Sequence, residues 1–277
     1  MTQRYIKELQ DWRAELNRSI RNENGWLALA GLFWVEEGDH SIGRSPNCDF
    51  VLHSAEAPEG LGVLTRRGQT VSFEAGRGVT VEINGHPLKQ AELTADTDPD
   101  PDFLTYNDLR FVLIKRGSRI GLRYWDNSRK ERVAFPDRSW YPVQPEYRLP
   151  AQFRQAEAAR TIQIPDVLGD STEETVLGEI QFEFEGTRFS LHALEAGEGR
   201  ALVLFGDETN GRGTYPGGRF LVVDLADGEQ VWLDFNRAYN PPCAFTPYAT
   251  CPLPPPVNRL PVEIAAGERY ISNPDPA

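Results

Sequence analysis

The chain has 277 residues, 40% of them hydrophobic, which is enough for one large domain or two modest ones. Its net charge of -12 argues against nucleic acid and anionic membranes as partners, because phosphate binding needs a basic face. No apolar run approaches the ~18 residues that span a bilayer, and three cysteines make no disulfide framework, so the expected compartment is the cytoplasm.

The N-terminus, MTQRYIKELQDWRAELNRSI, has mixed charge and no apolar core of a secretory signal. Tyr5, Ile6, Leu9, Trp12, Leu16 and Ile20 recur every three or four residues, which predicts a helix with one apolar stripe, capped by Thr2. WLALAGLFWV follows as a buried run whose periodicity fits a helical turn or a strand equally. Residues 1–37 thus read as a helix and a buried connector.

From Gly38 onward short apolar stretches alternate with turn residues at about ten-residue spacing, the pattern of an antiparallel sandwich or barrel. The fold class is mainly β, with an N-terminal helix and β layers divided as 38–150 and 151–277. Arg116-Gly117-Ser118 lies between two alternating runs and predicts a hairpin. Asp96, Asp98, Asp100 and Asp102 alternate in one loop, but Pro99, Pro101 and a missing glycine fit a solvated loop better than a calcium loop. Residues 148–176 read as a linking strand, and PVEIAAGERYI at 261–271 as a last strand.

No phosphate-binding glycine loop, nucleophile elbow or close pair among the four histidines is present, so no metal and no cofactor is expected. Cys243 and Cys251 lie too far apart for a zinc knuckle. They read as packed thiols, with a disulfide or a metal as alternatives.

Asp227-Gly228, between GRFLVVDLA and EQVWLDFN, predicts a two-residue hairpin turn. That register places Arg219 opposite Asn236 and diagonal to Asp234, on a central hairpin whose apolar faces are both covered. Arg219, Asp234 and Asn236 then gather at its open end with Tyr215, Arg237, Tyr239 and Asn240, and Asp207 ends a neighbouring strand. Arg123 is a more remote addition. Such a cluster either satisfies itself, Asp234 neutralising Arg219, or lines a pocket. In the pocket Arg219 or Arg237 binds an anionic or carbonyl oxygen, Asp234 or Asp207 accepts a proton or hydrogen bond, and Tyr215 or Tyr239 donates. No residue is assigned a catalytic role.

Two resemblances add to this. GDHSIGRSPNCDFVL and EINGHPL resemble a forkhead-associated phosphopeptide-binding domain, although the downstream Ser-x-x-His of its phosphothreonine site is missing. WLALAGLFWVEEGDHSIG, GDETNGRGTYPGGRFLVVDL and LDFNRAYNPPCAFTPYATCPLPPPVNRLPVEIAAGERY resemble the domain of unknown function 1684 family over roughly 12–270. That resemblance implies no substrate or cofactor, but it implies that segments 207–219 and 234–258 form one shared feature. The expected function is binding, with or without transformation, of a small polar or anionic ligand at the open end of the hairpin. The alternative is a protein-recognition module with a forkhead-associated-like sandwich.

Overall fold

The computed structural model describes residues 2–197, 199–225 and 229–270, and its chain divides into two compact units. One unit is 18–136; the other joins 1–17 to 137–277. Helix α1 is Gln3–Ser19.

The 18–136 unit holds strands β1 (Leu29–Trp34), β2 (Gly38–Gly43), β3 (Phe50–Val51), β4 (Gly62–Arg67), β5 (Thr70–Ala75), β6 (Val81–Ile83), β7 (His86–Leu88), β8 (Gln90–Leu93), β9 (Phe103–Tyr106), β10 (Leu109–Arg116) and β11 (Arg119–Asp126), with a short α2 at Lys130–Ala134. They form a six-stranded sheet, β1-β11-β10-β9-β6-β7, and a five-stranded sheet, β3-β2-β4-β5-β8. Alternate side chains of both sheets meet in one core that includes Ile42, Leu64, Phe73, Phe111 and Tyr124, the expected sandwich arrangement. The ambiguous WLALAGLFWV run resolves as β1, and β10 turns into β11 at Gly117-Ser118, where Gly117 has φ +56°. Three of the four carboxylates in the aspartate loop are spent on the protein itself. Asp96 pairs with Arg116 at 2.8 Å, Asp98 accepts the Ala95 N–H, and Asp102 accepts the Thr94 N–H.

In the other unit, strands β12 (Arg148–Pro165), β13 (Ser171–Phe184), β14 (Thr187–Glu195), β15 (Arg200–Phe205), β16 (Arg219–Asp224) and β17 (Gln230–Asp234) form a single sheet, ordered β16-β15-β14-β13-β12-β17. The segment read as a linker is two long paired strands, β12 and β13. The sheet curls into a nearly closed barrel around Leu191, Val203, Phe205, Leu221, Leu233 and Phe235. Each of these is buried almost completely, worth roughly 1.5–3 kcal/mol apiece for the aliphatic and phenylalanine side chains.

Two expectations are corrected here. β16 and β17 are the two ends of the sheet rather than a central hairpin: β16 pairs with β15 and β17 with β12. The Asp227-Gly228 turn itself lies outside the described residues. Burial also shows the parity. Arg219, Leu221 and Val223 point inward with Val231 and Leu233, while Val222 and Trp232 point outward and are 38% and 50% exposed. The two-residue hairpin register would put Arg219 and Asp234 on one face, and a shift of one residue exchanges the faces completely. Near closure the sheet ends meet through a bridge in which the Phe220 and Tyr239 backbones exchange hydrogen bonds at 2.9 Å in both directions. The second correction concerns 261–270, which contains no strand and instead turns its backbone carbonyls toward the barrel interior.

Candidate functional site

The inward parity of β16 sends Arg219 into the barrel, where its side chain is fully buried. It donates to Asp207 Oδ2 at 2.7 Å, to the Ile264 carbonyl at 2.9 Å and to the Ala266 carbonyl. Asp207 Oδ1 meanwhile accepts from the Thr209 N–H at 2.9 Å, the Thr209 hydroxyl at 2.5 Å and the Ile264 N–H at 3.2 Å. Burial pulls the Arg219 pKa down and Asp207 opposes that shift. A pair held this way joins β16, the Asp207–Thr214 turn and segment 264–266, and its side chains present no surface to a ligand.

A second buried knot contains residues that the sequence did not single out. Glu268, 1% exposed, accepts from the Asn240 N–H at 2.7 Å and from Arg138 Nη1 at 3.1 Å through the same oxygen. Burial pushes its carboxyl up to about 7, against the pull of Arg138 and of the Asn240 N–H. Asn240 also donates to the Arg269 carbonyl at 3.0 Å, so it serves the backbone.

Asp234 lies on the outward face, and there the structure opens a groove of about 630 Å³. Helix α1 supplies Tyr5, Glu8, Trp12 and Leu16, spaced so that they share one face. The sheet supplies Arg148, Arg200, Val222, Asp224, Trp232 and Asp234, and the turn after β17 supplies Arg237 and Tyr239. Asp234 is the centre of this arrangement. Its Oδ2 accepts from the Tyr5 hydroxyl at 2.7 Å and lies 3.7 Å from Arg237 Nε and 4.0 Å from Arg148 Nε. Its Oδ1 accepts from the Asn236 N–H at 3.2 Å and from Asn236 Nδ2 at 3.1 Å.

Aromatic rings orient the two guanidiniums. Arg148 stacks over Tyr5 at 4.8 Å and Trp232 at 4.4 Å, and Arg237 over Trp12 at 5.5 Å. Burial and the hydrogen bond to Asp234 raise the Tyr5 phenol well above its ordinary value, so Tyr5 stays a donor.

Of the predicted residues, then, Asp234, Arg237 and Tyr239 meet in the groove. Asn236 lies beneath it, fully buried, exchanging hydrogen bonds with the Gln144 backbone at 3.0 and 2.9 Å. Arg219 and Asp207 are inside the barrel, and Tyr215 packs edge-on against Tyr270 at 5.1 Å. Arg123 is buried on β11 in the 18–136 unit. The expected Arg219–Asp234 pairing does not form, since each has its own partners on opposite faces of the wall. Tyr5, Arg148 and Trp232 were missed. Tyr5 sits in the apolar stripe of α1, and Arg148 in the stretch read as a linker.

Among the described residues no group of three or more His, Cys, Asp or Glu side chains is placed to hold a metal ion, and no helix is long and apolar enough to cross a membrane.

No curated protein sequence matches the chain. The solution NMR structure of an uncharacterized protein of Haloarcula marismortui is similar at 34% identity and a TM-score of 0.43, covering 50% of this chain and 80% of that one. The FHA domain of FhaA, complexed with the intracellular domain of another protein, is similar at 15% identity and a TM-score of 0.24, covering 33% of this chain and 96% of that one. A likeness that low bears on neither fold nor function. The family described as protein of unknown function (DUF1684) matches residues 133–269, a shorter span than the resemblance suggested. That stretch contains Arg138, Arg148, Asp234, Arg237, Tyr239 and Glu268, and through it the chain belongs to the DUF1684 family.

Proposed function

We propose that the groove between α1 and the open seam of the barrel binds a small anionic ligand. The observation that carries this reading is the pair Arg148 and Arg237. Their side chains are 35% and 32% exposed, ordered by aromatic stacking, and near one carboxylate oxygen at ion-pair rather than hydrogen-bond distance. Neither side chain donates a hydrogen bond to another described residue, so both keep their forked N–H donors for a ligand. A guanidinium held in place loses less freedom on binding, and a carboxylate or phosphate can accept two parallel bonds from each fork. Asp234 offsets the repulsion between the two like charges, while Tyr5 and Asn236 hold it still. Trp232 and Trp12 give an apolar wall for the body of the ligand.

Thermal-shift screening against small carboxylates, phosphates and sulfates, followed by calorimetry on each hit, tests the reading. A hit is expected to lose tenfold or more in affinity in both Arg148→Ala and Arg237→Ala, about 1.4 kcal/mol each. A panel without any hit, or a hit whose affinity survives the double variant, overturns it.

A further inference from the structure

We infer that Cys243 and Cys251 form a reversible intramolecular disulfide when the protein meets an oxidising disulfide. Neither residue is in a disulfide in this structure. Their contact is reciprocal: the Cys243 N–H donates to the Cys251 sulfur at 3.1 Å, and the Cys251 N–H donates to the Cys243 sulfur at 3.3 Å. Each backbone N–H thus lies against the other residue's sulfur, which places the two cysteines side by side, as a disulfide requires.

Both backbones are anchored. Cys243 lies in the Pro242–Ala244 turn, which closes through Phe245 N–H to the Pro242 carbonyl. Cys251 is tied to the end of β12 and the residues beyond it, its carbonyl accepting from Val167 and the next residue but one, Leu253, donating to the Pro165 carbonyl. The Cys243 thiol donates to the Ala249 carbonyl at 3.3 Å and gives up that bond when it loses its proton to become the attacking thiolate. Cys243 is half-buried and Cys251 buried, which orders the steps. The Cys243 thiolate attacks oxidised glutathione, forming a mixed disulfide and releasing one glutathione thiolate. The Cys251 thiolate then attacks the Cys243 sulfur and displaces the second. Two cysteine thiols are oxidised, one glutathione disulfide is reduced, and the two cysteine protons end on the two glutathione thiols.

The bond closes the loop 243–251 over the segment that leads into β16. Leu253 and Pro254 already pack against Gly217 and Gly218 there, next to Tyr215, whose phenol burial and both sulfurs push up to about 12. Oxidation thus locks one wall of the barrel without using the groove residues.

The full chain, equilibrated in buffers of increasing oxidised-to-reduced glutathione ratio and then alkylated, reads this out directly. Both cysteines lie on one tryptic peptide, residues 238–259, because no lysine or arginine falls between Arg237 and Arg259. That peptide is expected to escape alkylation and lose the mass of two hydrogen atoms, while Cys48 stays alkylated. Cys251→Ser is expected to accumulate a glutathione adduct at Cys243. Peptide 238–259 alkylated at both positions at every ratio overturns the inference in the wild type alone, whatever the variants do. So does a peptide carrying two glutathiones.

Discussion

Tyr5, in the first turn of α1, donates a 2.7 Å hydrogen bond to Asp234 at the end of β17, 229 residues later. This contact seats the N-terminal helix on the barrel and holds the one carboxylate around which Arg148 and Arg237 are arranged. Removing only the hydroxyl, in Tyr5→Phe, keeps the ring that stacks on Arg148. A buried hydrogen bond to a charged acceptor contributes about 1.5–3 kcal/mol. Urea unfolding of Tyr5→Phe is expected to show a stability lower by that amount, read as a lower midpoint with an unchanged slope.

Trp232 is half exposed and makes its contact with Arg148, so its truncation separates binding from folding. In Trp232→Ala the stability change is expected to stay within about 0.5 kcal/mol, as at other exposed positions. Affinity for any groove ligand is expected to fall severalfold, because Arg148 loses one of its two stacking partners. Calorimetry beside a melting curve checks both halves.

Asp207 neutralises a guanidinium that has no contact with water. Asp207→Asn leaves that charge buried without its counter-ion, expected to cost about 3–5 kcal/mol. In a double-mutant cycle with Arg219→Met, the combined loss is expected to be well below the sum of the single losses. Additive losses in denaturant unfolding would refute the coupling.

Glu268 gives stability a pH dependence of definite sign. Its carboxyl titrates at about 7 in the fold against an ordinary value of 4.5. Between those values the native chain holds a proton that the unfolded chain has released, so stability contributed at low pH is lost as pH rises from about 5 to about 7. The full loss is of order 3 kcal/mol. Glu268→Gln keeps an acceptor for Asn240 and Arg138 and is expected to flatten this part of the profile. Equilibrium unfolding at several pH values decides it: a variant with the wild-type slope assigns the dependence to another group.

Gly267 stands at φ +76°, and a Cβ there would lie 2.6 Å from the Ala238 carbonyl and 2.7 Å from the Phe235 carbonyl. Gly267→Ala combines left-handed strain with a clash against two backbone oxygens, and both distort the segment whose neighbouring carbonyls bind Arg219. A loss above about 2 kcal/mol is expected, visible as a lowered melting temperature.

Local pattern alone determined the helix, its Thr2 cap and buried stripe, the mainly β class, the hairpin at Gly117-Ser118, and the polar character of the stretch from Asp234 to Asn240. Those features depend on residues a few positions apart, where periodicity and turn chemistry act directly. Which polar residues share a face was decided by the closing of the barrel. With β16 and β17 at opposite ends of one sheet, burial of Leu221, Val223, Val231 and Leu233 set the parity of both strands. Since side chains alternate at every residue, that choice sent Arg219 inward to Asp207 and Asp234 outward to Tyr5. The groove likewise depends on Tyr5 and Arg148 coming beside Asp234 across long sequence separations. Only the packing of α1 and the pairing of β12 with β17 bring them there.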